Sequence, residues 1–390
     1  MKTLYIAPFR DFSGYATAAR GYLKALDLAG VDLVARAVRY DRADPGSEYQ
    51  LTPREKELLQ KPLEDIEVVI QHVTPNEMRV PKAVADKTNV AVVAWETTRI
   101  PDYWVRRLNG FDLVVTFCDA SVRAFRDCGV TTPIEKVPHC FDIKGNTYDL
   151  SEVEPLRVER ASDFLEGRFV FYNISQFSQK KGLDVLLQAY YSAFWDKPDD
   201  VALVLKTYIN MGSNRKDERD QLASWIQQLR GGMRLPSYPP VILITDTISD
   251  EKIRRLHSLG DCYVCSSRAE GWCIPAFEGL AYGNKLVTTR WGGMGEFTRH
   301  PISALMLDQN VFQVDFTMEP LIGQQHNDPD LYTARDLIAQ PSVRSMAHAM
   351  QVARKARLDP KPDLSHFDYS EVGPQMKRVL EGAANVGQPV

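Results

Sequence analysis

The 390 residues carry 47 Lys and Arg against 51 Asp and Glu, a net charge of −4, so there is no global pull toward nucleic acid or an anionic membrane surface. The length exceeds one ordinary core and predicts two domains of typical size. Apolar (44%) and charged (25%) fractions are ordinary for a globular chain. No stretch approaches the length of a membrane span. The short apolar run at the start meets Arg10 and Asp11 at once, so it reads as a first strand rather than a signal peptide. The expectation is a cytoplasmic protein whose contact with a membrane, if any, is peripheral. In that compartment Cys118, Cys128, Cys140, Cys262, Cys265 and Cys273 are expected as reduced thiols. Cys262-x-x-Cys265 has half the spacing of a zinc site. It falls in a predicted strand, where positions three apart face opposite ways, so no metal site is expected.

Residues 3–8 read as the first strand, followed by a loop and a helix that ends at Gly30. Ala18, Tyr22, Ala25, Leu26 and Ala29 keep helical spacing, with Ser13 as the expected N-cap. Gly14 would let a ligand approach the backbone. Strand, Gly-containing loop and helix N-terminus form the usual anion cradle of an α/β fold, although an ordinary crossover loop reads the same way. Residues 31–38 are a second strand, and 41–63 a loop with a short helix. Residues 66–71 are a strand that ends at His72, where open α/β sheets bind ligands. A satisfied loop histidine is the competing reading. The strand at 90–94 leads to Trp95, Glu96 and Arg99, an aromatic, an acid and a base suited to an acceptor site. A helix at 102–109, a strand at 112–117 and a helix at 119–128 follow. A strand at 134–137 leads to Pro138-His139-Cys140.

Residues 143–167 are polar and irregular, and read as an interdomain linker. The sheet pattern restarts at 169–174. A loop with Lys180 and Lys181 and a helix over 183–194 follow, making a second anion cradle with cationic side chains. A strand at 201–206 ends in Lys206, and a helix covers 215–230. A strand at 241–245 leads to Asp246 and Thr247, with Ser249 or Asp250 capping a helix to Ser258.

From Tyr263 to Asn284 a strand ends in Ser266-Ser267, a loop carries Glu270, and a helix opens at Pro275 and closes at Gly283. Glu278 lies inside that helix. The N–H groups of Gly271, Trp272, Cys273 and Ile274 at its start would attract a phosphate. Carboxylates there would repel one, so they are better explained as acceptors for neutral hydroxyls. A nucleotide-sugar carries both a diphosphate and hydroxyls. A strand at 286–289 leads to Gly292-Gly293-Met294-Gly295-Glu296. Beyond Arg299 the pattern is irregular, with helices expected over 332–339, 341–356 and 370–382. Asp328-Pro329-Asp330 matches the Asp-x-Asp of metal-dependent transferases. It lies in a polar turn after no strand, so it is rejected as a metal site.

Glu-x7-Glu after a Ser-Ser strand end, then Glu-Gly-Leu-Ala-Tyr-Gly-Asn-Lys-Leu-Val-Thr-Thr and Gly-Gly-Met-Gly-Glu, resembles glycosyltransferase family 4. The resemblance implies an α/β GT-B fold, two Rossmann-like domains facing each other across a cleft. The expected division is an acceptor-side domain over 1–160, a nucleotide-sugar-binding domain over 161–358, and a C-terminal segment, 359–390, whose helix crosses back to the first. It implies a retaining, metal-independent transferase with no cofactor beyond its co-substrate, a UDP- or GDP-sugar. Glu270 would contact the donor sugar and Glu278 the ribose. Lys181 and Lys180 would hold the diphosphate, and backbone near Asp246 and Thr247 the base. Glu270, Lys181 and His72 form the expected catalytic set; Arg10, Trp95, Glu96 and His139 form the acceptor side.

Two departures stand out. Gln176 replaces the family arginine that clamps the diphosphate, with Lys206, Arg268 or Arg10 as substitutes. Cys140 replaces a glycine common after the histidine. The acceptor stays open among glycan, lipid, small molecule and nucleic acid. Alternatives are a non-catalytic nucleotide-sugar-binding module or another GT-B enzyme such as a sugar epimerase. The missing GxGxxG argues against a dinucleotide oxidoreductase.

Overall fold

The computed structural model describes residues 1–39, 49–145, 148–158, 162–209, 215–300, 303–307, 310–322 and 331–386. The Asp328–Asp330 triplet lies outside these residues. The chain divides into two units. The first comprises Met1–Gly145, Pro320–Leu337 and Leu364–Val390, and the second Asn146–Glu319 and Ile338–Asp363. The second unit is thus interrupted, where the sequence predicts one unbroken domain over 161–358.

The first unit contains β1 (Lys2–Ala7), α1 (Gly14–Leu28), β2 (Asp32–Ala37), α2 (Pro53–Gln60), β3 (Val68–Gln71), β4 (Thr88–Val92), α3 (Asp102–Leu108), β5 (Leu113–Thr116), α4 (Asp119–Asp127) and β6 (Ile134–Lys136). All six strands are parallel, in the order β2-β1-β3-β4-β5-β6. The runs Val68-Val69-Ile70-Gln71 and Leu113-Val114-Val115-Thr116 are buried throughout, as parallel strands covered on both faces must be. Ser13 caps α1 through the Ala16 N–H at 3.2 Å, and α1 buries Ala18, Tyr22, Ala25 and Leu26. The final helix, Tyr369–Val386, packs on α1. There Gly373 sits so close that an added Cβ would lie 2.2 Å from the Ala25 carbonyl oxygen. Strand order reverses between β1 and β3, which makes the ends of those two strands the natural ligand crevice of this sheet.

The second unit opens with α5 (Ser162–Leu165). It continues through β7 (Phe169–Gln176), α6 (Leu183–Phe194), β8 (Val201–Tyr208), α7 (Arg215–Met233), β9 (Val241–Ile244), α8 (Asp250–Leu259), β10 (Cys262–Cys265), α9 (Ile274–Ala281) and β11 (Lys285–Thr288). After α10 (Met294–Phe297), β12 (Arg299–His300) and β13 (Ser303–Leu307) form an antiparallel ribbon. β14 (Val311–Gln313) then completes a parallel sheet of order β14-β11-β10-β7-β8-β9. The switch point lies between β7 and β10. The core under this sheet gathers Phe171, Leu187, Tyr190, Leu203, Val264 and Met350. β15 (Phe316–Pro320) pairs with β16 (Leu337–Pro341), and α11 (Val343–Lys355) packs against α6.

Two expectations fail beyond Arg299. The stretch read as irregular contains β12 to β15, and the helix expected over 332–339 does not form. Its apolar spacing suits a helix. However, Asp336 is buried and accepts from the Thr333 N–H and hydroxyl and from the Thr97 hydroxyl. Those side-chain bonds close a turn that competes with helical hydrogen bonding, and the chain leaves it as β16.

Candidate active site

The second unit's switch point brings together the loop after β7 and the loop after β10. Backbone and side chain lock them. The Arg268 N–H donates to the Lys180 carbonyl at 2.7 Å, and the Ser266 hydroxyl to the Lys181 carbonyl at 2.8 Å. The Arg268 guanidinium donates to the Gln179 carbonyl at 2.6 Å and grips both oxygens of Asp184, in the first turn of α6, at 2.9 and 2.7 Å. Gly182, with φ +62°, has no room for a side chain, since a Cβ would lie 2.2 Å from the Ser266 oxygen.

This clamp presents Lys181 to Glu270. The Lys181 ammonium lies 2.6 Å from Glu270 Oε1, and the Ser267 hydroxyl donates to the same oxygen at 2.7 Å. Glu270 is buried, so an unpaired carboxylate there would be costly; two donors on one oxygen fix the side chain. Among the described residues nothing bonds to Oε2, which is left as an acceptor. The loop then turns through Cys273, held at φ +71°, a conformation rare for a side-chain-bearing residue and common at functional sites. Pro275 occupies the first turn of α9. The helical ladder starts where the Ala276 and Phe277 N–H groups donate to the Cys273 carbonyl, so the Cys273 and Ile274 N–H groups lie ahead of it. Gly293 N–H donates to the Glu270 carbonyl at 3.1 Å and holds the loop from the other side.

Lys180, Lys181, Glu270, Gly271, Cys273 and Ile274 are therefore assembled at one place. Trp272 is there by its backbone only, because its side chain is buried beside Phe277 and Phe297. Glu278 lies further along α9 with a partly exposed carboxylate, 3.8 Å from His257 Nε2. Thr247 is exposed past the end of β9, and Lys206 is buried in β8. Arg268, expected as a substitute for the missing arginine, is instead engaged by Asp184, Gln179 and the Gln340 side chain at 2.7 Å and is not available to a diphosphate. Gln176 is exposed and donates to the Ile209 carbonyl. Ser267 and Asp184 contribute here without being singled out by the sequence. The only signal for Ser267 was its position three residues before Glu270.

In the first unit, His72 lies at the β3 end of the switch point, fully buried, with Nδ1 2.8 Å from the Tyr5 hydroxyl. Among the described residues its Nε2 has no partner. Burial pushes its pKa down to about 3. His139 is held well below the usual histidine range, first by burial and then by His72, and stacks on Phe117 at 4.0 Å. Gly14 opens α1, and a Cβ there would meet nothing within 4 Å. Arg10 is exposed on the preceding loop. Cys140 keeps an ordinary negative φ, so the absence of glycine there imposes no strain. Trp95, expected at an acceptor site, is instead buried against Trp104 and Tyr332 in the core and does not line a surface. Its neighbour Glu96 accepts from the Tyr332 hydroxyl.

The six cysteines are free thiols. Cys265 and Cys273 approach to 3.6 Å, whereas Cys262 makes its contact with its own strand. Among the described residues no group of three or more His, Cys, Asp or Glu side chains could hold a metal ion, and no helix is long and apolar enough to cross a membrane.

Residues 157–315, a stretch that contains the Lys181–Glu270 pair, match the family model described as glycosyl transferases group 1. Over 195 residues the chain is 27% identical to a Bacillus subtilis (strain 168) protein named "Putative glycosyltransferase YtcC"; the match spans 45% of this chain and 44% of that protein's length. Among solved structures, an α,α-trehalose-phosphate synthase (UDP-forming) from Burkholderia xenovorans, in complex with glucose-6-phosphate, superposes with a TM-score of 0.65. It has 12% identity, covering 98% of this chain and 100% of that one. Anabaena HepE, in complex with UDP and glucose, gives a TM-score of 0.58 at 15% identity, covering 98% and 100%. The fold is that of GT-B glycosyltransferases: two parallel-sheet α/β domains.

Proposed function

We propose that the protein is a retaining, metal-independent glycosyltransferase of the family 4 type that moves a sugar from a nucleoside diphosphate sugar to an acceptor hydroxyl. The observation that carries this reading is the Lys181–Glu270–Ser267 arrangement at the start of α9, inside the matched glycosyl transferases domain. The Cys273 and Ile274 N–H groups and the Lys181 ammonium stabilise the leaving diphosphate as it gains charge. Glu270 Oε2 accepts from a donor-sugar hydroxyl and fixes the ring, while Glu278 takes the ribose. The anomeric carbon's bond to the phosphate oxygen breaks as its bond to the acceptor oxygen forms on the same face. The acceptor proton passes to the departing phosphate oxygen. Glu270 and Glu278 position hydroxyls and are not a hydrolase acid and base pair. Lys206 takes part of the charge that the arginine missing at Gln176 would have carried. Arg10 and Glu96 serve the acceptor hydroxyl, while His72 and His139, as buried as Trp95, lie behind the surface.

A UDP-sugar is the first donor to try, because HepE was solved with UDP and glucose and the Escherichia coli trehalose-6-phosphate structure with UDP-2-fluoro glucose. The Gln176 departure supports a second reading, a binding module without turnover. The test is a thermal-shift panel of UDP- and GDP-sugars, followed by mass spectrometry of products from glycan, lipid and small-molecule acceptors. One nucleotide-sugar at 100 times its Kd should stabilise the fold by about 2.7 kcal/mol. Products should form equally with and without a chelator. Stabilisation without hydrolysis or transfer would favour the binding module. No shift with any nucleotide-sugar would overturn both readings.

A further inference from the structure

Behind Glu278 lies a buried polar chain that the reaction scheme does not use. Asn284 Nδ2 donates to the Tyr172 hydroxyl oxygen at 2.7 Å and to the His257 carbonyl at 2.8 Å. The Tyr172 hydroxyl lies 2.8 Å from His257 Nδ1. An amide nitrogen only donates, so Tyr172 accepts from Asn284; among the described residues the only acceptor within reach of its own proton is Nδ1. The neutral ring then carries its proton on Nε2. That Nε2 is fully buried, has no hydrogen-bond partner among the described residues, and faces Glu278 Oε2 at 3.8 Å. The Tyr282 ring stacks on the imidazole at 4.7 Å and blocks its rotation.

A buried N–H without an acceptor is left with an uncompensated desolvation penalty. It is relieved when the Glu278 carboxylate, 26% exposed on its other side, moves inward. Hydrogen bonds that serve a ligand are often long in the empty protein and tighten in the complex. We propose that His257 is a positioning residue: through its Nε2–H it holds one oxygen of Glu278 so that the other accepts from the ribose diol of the donor nucleotide. Asn284 and Tyr172 set the tautomer that makes this possible. The inference rests on the nucleotide-sugar reading and adds the device that selects for an intact ribose.

Calorimetric titration with UDP and with 2′,3′-dideoxy-UDP separates the roles; the GDP pair is used if GDP binds more tightly. The wild-type protein should prefer UDP by about tenfold or more, the value of one or two well-placed hydrogen bonds. His257→Gln, whose amide can donate from the position of Nε2, should keep most of that preference. His257→Asn and His257→Phe should reduce it to about twofold, with binding of the dideoxy nucleotide unchanged, and Glu278→Ala should match them. Equal loss of both ligands would assign His257 to packing alone and overturn the inference. So would an undiminished preference in His257→Phe or, should that variant not fold, an undiminished preference in His257→Asn. A wild-type protein that binds neither nucleotide pair would overturn the nucleotide-sugar reading itself, and the inference with it.

Discussion

At the scale of single residues, Glu270 is defined by what shares its Oε1. Lys181 and Ser267 both reach that oxygen, and each has a separable consequence. Lys181→Met leaves the carboxylate buried without its counter-charge and should lower stability by roughly 3 kcal/mol in urea titrations. It should also weaken nucleotide binding. Ser267→Ala removes one of two donors and should cost only about 1 kcal/mol. Equal losses in the two variants would mean that the ion pair carries no special weight. In the first unit the residue-scale prediction concerns protons. His72 has its pKa lowered to about 3 from 6.5 by burial. Between those values the unfolded chain takes up a proton that the folded chain refuses. Stability therefore falls as pH drops from 6.5 toward 3, with a slope of up to about 1.4 kcal/mol per pH unit for this group. His139 adds to the loss in the same direction, again through burial. His72→Gln should flatten the dependence of the melting temperature on pH between 7 and 5. A slope identical to wild type would contradict the burial account.

At the scale of elements, the site is two loops held edge to edge. Gly182→Ala puts a methyl group 2.2 Å from the Ser266 oxygen at a left-handed backbone position. It should destabilise by about 2 kcal/mol or more and abolish nucleotide binding, because Lys181 moves with that loop. Retention of wild-type affinity would show that the two loops are independent. Much of this element layer is legible in the chain. Pro275, Gly283 and the Ser266-Ser267 strand end mark β10 and α9 because each acts locally, through a missing N–H, a positive φ or the end of an apolar run. Glu270 is visible for the same reason. What is not legible depends on partners distant in sequence. Arg268 reads as a free cation until Asp184, 84 residues away, is found on its guanidinium. Trp95 reads as an acceptor platform until Trp104 and Tyr332 close over it. The turn at Thr333–Asp336 reads as helix because its buried carboxylate is invisible in a spacing pattern.

At the scale of the molecule, each unit carries its own sheet and its own switch point, and the first is completed by residues from the far end of the chain. Gly373→Val drives the final helix off α1 and should destabilise the first unit by about 3 kcal/mol or more, lowering the melting temperature. Nucleotide affinity at low temperature should stay at the wild-type value, since the loops proposed to hold the donor lie in the second unit. A parallel loss of affinity would show that the donor site needs the first unit intact. The central claim is that Glu270 orients an activated sugar beside a helix start. The most direct measurement is sugar transfer or donor hydrolysis by Glu270→Gln, with its melting temperature recorded alongside. The account predicts loss of about 10²-fold or more in rate with the fold retained, because the amide keeps the shape and loses the charge on which Lys181 and the sugar hydroxyl converge. Wild-type turnover by a folded Glu270→Gln protein would contradict it.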